Sequence, residues 1–297
     1  WKAIGSHSRG IVEMRIAGHT MGTPNMDVDN AIVFFAGIGL DGVDLICADD
    51  YRCAVPLDMT DAEVRRLRDL LARAGLELAN LTPYAKRLNA ADPTERANNV
   101  DIMSKAIRLA ARLGCPSLRL WSGDIVPGED VRASFEFAVT SIVQVAKLAG
   151  DYGITLNLEN HVHTLTPTIR DVLAMLEAVN STAVRALLDP ACLVMHPGAE
   201  TGTQAIGMLG PRLALVHVKD VKIQVTGRVI HVPVGQGDTG WARLLKALRE
   251  AGYTGYLSLE YERRWHPDML PAPEIGMAES LRFLRSTLRR LDGGMRD

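Results

Sequence analysis

The sequence predicts a closed (β/α)8 barrel. Strand-like apolar segments alternate with helical ones along the whole chain. Eight of each can be placed, and a glycine ends nearly every helix just before the next strand. Alternating βα units imply a parallel sheet with right-handed crossovers, and eight of them in 297 residues suit the barrel. A doubly wound open sheet is the alternative. No GxGxxG follows the first strand, which argues against its nucleotide-binding version. No linker or low-complexity stretch interrupts the pattern, so residues 1–297 read as one domain with its core at about 11–291.

The first strand is expected at 11–17 (IVEMRIA), followed by Gly18, His19 and Thr20. A helix over 27–39 carries Ile32, Val33, Phe34, Phe35 and Ile38 and stops at Gly39, a suitable C-terminal cap. Strand two is 42–48. Thr60 with Glu63 forms a capping box for a helix that runs to Ala74 and stops at Gly75. Strand three is 76–81, leading into Thr82, Pro83 and Tyr84. A helix over 93–113 ends at Gly114, and strand four is 116–121, ending at Trp121. A helix over 130–152 precedes strand five, ITLNLENHVH from 154, whose alternation of Ile154, Leu156 and Leu158 reads as a strand with one covered face. Helix 168–179, strand 184–188, helix 202–209, strand 213–218, helix 241–251 and strand 255–259 follow. Helix 274–291 and a frayed tail at 292–297 complete the chain.

Composition excludes several classes. A net charge of −2 gives no broad basic face, so no nucleic-acid partner is expected. No apolar run approaches the ~18 residues of a membrane span. The opening WKAIGSHSRG lacks the hydrophobic segment of a signal peptide, so a cytoplasmic location is expected. Cys47, Cys53, Cys115 and Cys192 form no CxxC pair and read as free thiols.

In such a barrel the active site lies at the C-terminal strand ends. Those ends carry Glu159 after strand five, Asp189 after six, His217 in seven and Glu260 after eight. They are 30, 28 and 43 residues apart, one βα unit per step, so they converge on one quadrant of the mouth. Three carboxylates and an imidazole that close need a counter-charge, and one divalent ion is the simplest. Three oxygens with one nitrogen favour Mn2+ first, with Mg2+, Co2+ or a catalytic Zn2+ as further choices. Each residue alone also has a structural reading: a strand-end acid as a helix N-cap or salt-bridge partner, a strand histidine as a satisfied core residue.

LNLENH, LLDPACL, LVHVKD, VPVGQGDTGW and GYTGYLSLEYER, with GIGLDGVDL and ERANNVDIMSKAIRLAARLGCPSLRLWSG upstream, resemble the xylose-isomerase-like TIM barrels. That superfamily holds the sugar phosphate isomerase/epimerase proteins, ketose 3-epimerases, inosose dehydratase and endonuclease IV. The resemblance implies that Glu159, Asp189, His217 and Glu260 bind one divalent ion. It also implies that Glu159 and Glu260 are the acid/base pair that moves a proton next to a carbonyl through an enediolate. The implied function is a sugar or keto-sugar isomerase or epimerase. A lyase of the same family, such as a keto-sugar dehydratase or the catalytic subunit of a C-glycoside deglycosidase, is the alternative.

Two departures separate the chain from the ketose 3-epimerases. Cys192 stands where they have a histidine, and HVHTLTP replaces the segment with their second glutamate. His161, two residues past Glu159, should share its face if the strand continues, and is a further acid/base candidate. Lys219, Trp121, His231, His19 and Tyr84 are candidate substrate contacts; Glu262 and Arg263 are expected to pair with each other or with neighbours. An endonuclease IV-like nuclease would need further metal-binding histidines where Cys192, Tyr84 and Trp121 stand and an aspartate where Val229 stands; a non-catalytic sugar-binding barrel would need no metal. Gly235, Gln236 and Gly237 form only a weak phosphate cradle, which favours an unphosphorylated substrate. The partners expected are a small sugar or keto-sugar, a second copy of the chain through the apolar 269–273 segment and, for the deglycosidase alternative, a second, unrelated subunit.

Overall fold

The computed structural model describes residues 14–293. Among these, eight parallel strands close a barrel: β1 (Arg15–His19), β2 (Gly42–Cys47), β3 (Glu77–Pro83), β4 (Ser117–Leu120), β5 (Thr155–Glu159), β6 (Val184–Leu188), β7 (Leu213–Val218) and β8 (Tyr256–Leu259). Closure is made by β1, which pairs with β8 on one side and β2 on the other. The helices outside are α1 (Val28–Ile38), α2 (Asp61–Ala74), α3 (Pro93–Leu113), α4 (Val131–Asp151), α5 (Ile169–Val179), α6 (Gly202–Leu209), α7 (Trp241–Glu250) and α8 (Pro273–Gly293). The open-sheet alternative is excluded by the β1–β8 pairing.

The helices form where the sequence signals them. Thr60 and Glu63 make the capping box of α2, and Gly39 closes α1 in the left-handed conformation that glycine adopts without penalty. Helix α7 buries Trp241, Leu244, Leu245 and Leu248, the one-sided stripe of an amphipathic helix. Each such leucine contributes roughly 1.5–3 kcal/mol by leaving water.

Three local expectations change. Strand one is shifted: β1 covers Arg15–His19, and residues 11–13 lie outside the described residues. Helix α8 runs on to Gly293 rather than fraying at 292; residues 294–297 lie outside the described residues. Strand β5 is buried on both faces, because its alternate residues enter the barrel, where Asn157 is 1% exposed. The short strand Ala54–Val55, the short helix Pro190–Met195 and the hairpin of Asp220–Ile223 with Val229–Val232 are additions to the eight units.

The barrel interior has two layers. Ala17, Ala79, Leu187, Leu215 and Tyr256, from five strands, touch one another, which only inward-facing residues can do. Nearer the C-terminal ends the filling turns polar: Asp44, Asn80, Thr82, Ser117, Asn157 and Ser258 are all buried. Asp44 accepts hydrogen bonds from Asn80 (3.0 Å), Thr82 (2.8 Å) and Ser258 (2.8 Å). This layer is the floor of the site. Leu270, in the segment singled out as a possible interface, is 4% exposed and packs into the chain's own core.

Candidate active site at the C-terminal mouth of the barrel

Four strand ends bring Glu159, Asp189, His217 and Glu260 together. One ligand atom from each lies within 4.8 Å of the others, and all four residues are buried. His217 Nδ1 stands 2.9 Å from Glu159 Oε1 and 3.4 Å from Glu260 Oε2. Adjacent ligands of an octahedral ion with bonds of 2.0–2.1 Å are about 3.0 Å apart, so this edge length fits one ion. The chemistry of the donor set, three carboxylate oxygens and one imidazole nitrogen, fits a hard divalent cation.

Backbone contacts fix the ligands. Asn160 accepts from the Asp189 N–H at 2.8 Å and donates to the Asp189 carbonyl at 2.9 Å, tying the ends of β5 and β6 together. Asp189 is also a helix N-cap: its Oδ1 accepts from the N–H groups of Ala191 and Cys192. Capping uses one oxygen and leaves Oδ2 turned to the cluster, so the N-cap and ligand readings coexist in one side chain. The Glu260 N–H bonds to the Val218 carbonyl at 3.0 Å, extending the β7–β8 ladder to the ligand itself.

The charge balance is uneven. Among the described residues, Glu159 pairs with Arg119, and Asp189, Glu260 and Glu262 share Lys219, while Asp44 faces His217. Lys219 Nζ lies 2.7 Å from Asp189, 2.9 Å from Glu260 and 2.9 Å from Glu262. Burial alone would raise the Glu159 carboxyl, but His217 and Arg119 outweigh it and hold the pKa at about 2. Burial likewise opposes ionisation of Glu260, yet His217 and Lys219 keep it well below the usual range. His217 is driven the other way: burial lowers it, and Glu260 and Glu159 raise it well above the ordinary value.

A cavity of about 700 Å³ opens above the cluster. Tyr84, Trp121, Lys219 and His231, the candidate substrate contacts, line it, and so does His161, the acid/base candidate. Trp121 is held by its Nε1–H to Asp124 (2.7 Å) and packs on His161 with ring centroids 4.5 Å apart. The stated reason for His161 does not hold. Strand β5 ends at Glu159, the chain turns, and His161 reaches the cavity by facing Trp121 rather than by sharing the face of Glu159. His19 lies beside the floor: it is fully buried, edge-on to His217 at 5.6 Å, with Nδ1 accepting from the Met21 N–H.

Other pairings are corrected. Glu262 does not pair with Arg263; it bonds Lys219 and faces His231 at 3.0 Å, while Arg263 donates to the carbonyls of Pro267 and Leu270. The Gly235–Gly237 turn does not present its N–H groups to the cavity. Gly235 and Gly237 both donate to Asp220, and a Cβ on Gly237 would stand 2.4 Å from that carboxylate. Cys192 directs its thiol at Asp189 (3.2 Å), and burial, then Asp189, keeps the thiol protonated.

Three contributors were missed from sequence. Asp44 stands 3.5 Å from His217 Nε2, on the ring edge opposite the cluster. Arg119 reaches Glu159 at 3.5 Å and lies under the faces of Tyr84 and Trp121. Asn160 orients Asp189. The available signal was a charged residue inside an apolar strand, as in GVDLIC and SLRL.

The sequence profile of the xylose isomerase-like TIM barrels matches residues 34–287. An L-ribulose-5-phosphate 3-epimerase, UlaE, of Escherichia coli is 25% identical over 249 residues, covering 81% of this chain and 84% of its own. Solved structures share the fold. D-allulose 3-epimerase from Methylomonas sp. in complex with D-allulose has a TM-score of 0.74 at 20% identity over 93% of this chain and 97% of its own. A xylose isomerase-like TIM barrel protein from Mycobacterium smegmatis in complex with magnesium has a TM-score of 0.73 at 19% identity, over 93% of this chain and 96% of its own. No helix among the described residues is long and apolar enough to cross a membrane.

Proposed function

The chain belongs to the xylose isomerase-like TIM barrels, and on that footing we propose that it is a divalent-metal-dependent epimerase or isomerase of a keto-sugar. The observation that carries this reading is the convergence of Glu159, Asp189, His217 and Glu260 beneath an aromatic-walled cavity. The epimerases among its relatives and the magnesium complex of a structural neighbour support it.

A divalent ion held by these four residues, Mn2+ or Mg2+ by the donor set, would supply Lewis-acid stabilisation of the substrate oxygen that gains charge. Glu159 takes the proton from the carbon beside the carbonyl. The C–H electron pair becomes the C=C bond of an enediolate, and the carbonyl pair moves to its oxygen. Glu260 returns a proton. Exchange with solvent reloads Glu260 and takes away the proton that Glu159 gained; Lys219, hydrogen-bonded to Glu260 at 2.9 Å, positions that carboxyl group. Return to the opposite face of the same carbon gives the epimer, and return to the neighbouring carbon gives the isomer. Arg119 and His217 keep Glu159 ionised and ready to accept. Trp121 and Tyr84 offer faces for the apolar side of a sugar.

The test is deuterium incorporation in D2O into D-allulose, D-fructose, L-ribulose and L-ribulose 5-phosphate. Chelator-stripped protein is compared with protein resupplied with Mn2+ or Mg2+. Ion-dependent exchange into one of them is expected. Exchange into none, or undiminished exchange after stripping, overturns the reading.

A further inference from the structure

The mouth of the barrel changes character with depth. Its floor is charged, with Glu260 and Lys219, and its middle is walled by Tyr84 and Trp121. At the opening apolar side chains gather. Ile125, Val126 and Pro127 come from the segment between β4 and α4, Met195 from the end of the short helix after β6, and Trp265 from the segment between β8 and α8. Ile125 is 43% exposed, Val126 37% and Trp265 48%. Single exposed apolar residues are ordinary on a protein surface. Here three of the eleven large apolar side chains exposed among the described residues meet around one opening.

The backbone holds them there. The Asp124 N–H donates to the Lys86 carbonyl at 3.0 Å and the Ile125 N–H to the His163 carbonyl at 2.9 Å, which ties the segment after β4 to those after β3 and β5. The Trp265 N–H donates to the Glu262 carbonyl at 3.1 Å. Polar groups of the same rim are engaged with one another. Asp124 accepts from the Trp121 indole at 2.7 Å, and Glu262 accepts from Lys219 at 2.9 Å and faces His231 at 3.0 Å. Apolar area left in water carries a free-energy cost that a covering apolar group removes. The cavity volume of about 700 Å³ lies within the ~300–1,000 Å³ of sites that take drug-sized ligands, so a monosaccharide seated on the floor leaves the upper part unfilled.

We propose that this rim is a subsite for an apolar substituent of the sugar, so that the preferred substrate is a keto-sugar joined to an aryl or alkyl group rather than a free ketose. The proposal rests on the keto-sugar reading for the floor of the cavity and adds the second half of the ligand. The sugar lies against the carboxylates and Lys219, and its substituent points outward past Trp121 to Ile125, Val126 and Trp265. These apolar side chains come from separate segments around a concavity that leads to the four-residue centre, which is the shape of a ligand subsite rather than of a flat contact between chains.

The experiment is a calorimetric titration of protein supplied with Mn2+, using methyl and phenyl β-glycosides of D-glucose, D-galactose and D-xylose. Their carbonyl carbon is locked as an acetal, so binding is read without turnover. At least one phenyl glycoside should bind about tenfold more tightly than its methyl partner, the gain of burying one aromatic ring. Ile125→Ser and Trp265→Ser should each cut that preference, and the double variant should remove it. Far-UV circular dichroism establishes that each variant is folded; should one unfold, the other decides. No phenyl preference in any pair, or a preference unchanged in the folded variants, overturns the subsite. So does light scattering that finds a dimer in the wild type and a monomer in the double variant, because a second copy then covers the rim. Ion-dependent deuterium exchange into free ketoses without a phenyl preference leaves the keto-sugar reading standing and removes the subsite. A variant-sensitive phenyl preference with no exchange into any ketose upholds the subsite and counts against that reading.

Discussion

The two halves of the barrel do different work. Strands β5 to β8 each carry a cluster residue at, or one residue from, their C-terminal ends: Glu159, Asp189, His217 and Glu260. Strands β1 to β4 end in no such set, yet they supply Asp44 behind His217, Arg119 beside Glu159, and the Tyr84 and Trp121 wall. On the proposed mechanism the second half holds the reacting groups, and the first half sets their charge and the shape above them. Conserving the fold therefore leaves two separate ways to change activity. Changes at the ends of β5 to β8 strike the chemistry, and changes in β1 to β4 tune it.

The sharpest break of that division is Glu159→Gln or Glu260→Gln. Each keeps the shape but removes a proton carrier, a role worth typically ~10²–10⁴ in rate. Ion-dependent deuterium exchange should fall by that factor, with an unchanged circular dichroism spectrum. Exchange retained in both variants would remove the two-glutamate mechanism.

The same glutamate gives a pH signature. The Glu159 pKa is held at about 2, below the ordinary 4.5, through His217 and Arg119. Its contribution to stability is present above pH 4.5 and is lost as pH falls toward 2. Urea unfolding of the ion-stripped protein at pH 6, 4.5 and 3 should show this loss in the wild type and a flatter profile in Glu159→Gln. Equal slopes would mean that the buried pairs do not hold Glu159 ionised.

A first-half change of intermediate size is Asp44→Asn. Asp44 faces the His217 nitrogen opposite the cluster, the position from which a carboxylate orients a metal-binding imidazole. Loss of such a partner costs about 10–100-fold in ion affinity. Mn2+ binding followed by electron paramagnetic resonance should weaken by that factor while the fold stays intact. Unchanged affinity would make Asp44 a partner of Asn80, Thr82 and Ser258 alone.

The same division decided what the sequence revealed. Among the second-half candidates, Glu159, Asp189 and Glu260 were legible because each ends or directly follows an apolar strand, which puts it at the mouth, while His217 lies one residue inside the end of β7. Asp44 and Arg119 sit inside strands, and only the register says that they point inward and toward whom. Glu262 was expected to pair with Arg263 or with neighbours, because adjacency is what a sequence shows. Its true partners, Lys219 and His231, come from β7 and the hairpin after it. His161 reached the cavity for a different reason from the one expected, because the end of β5 at Glu159 broke the alternation on which that reason rested. The short helix that Asp189 caps follows from Pro190 at its first position, a signal present in DPACL but overshadowed by the ligand reading.

The smallest expected effect tests the division most directly. Trp121 touches the cavity, His161 and Arg119, but no member of the four-residue centre is among its ring contacts. An aromatic face against a sugar or a cation is worth about 1 kcal/mol, so Trp121→Ala should raise KM about fivefold and leave kcat nearly unchanged. Trp121→Phe should restore most of the loss, because it keeps the face and gives up only the bond to Asp124. Steady-state kinetics on the ketose identified by deuterium exchange separates the two constants. A fall in kcat approaching that of the glutamate variants would show that the β1–β4 wall takes part in the proton transfers, because a residue that only binds affects ground and transition states alike.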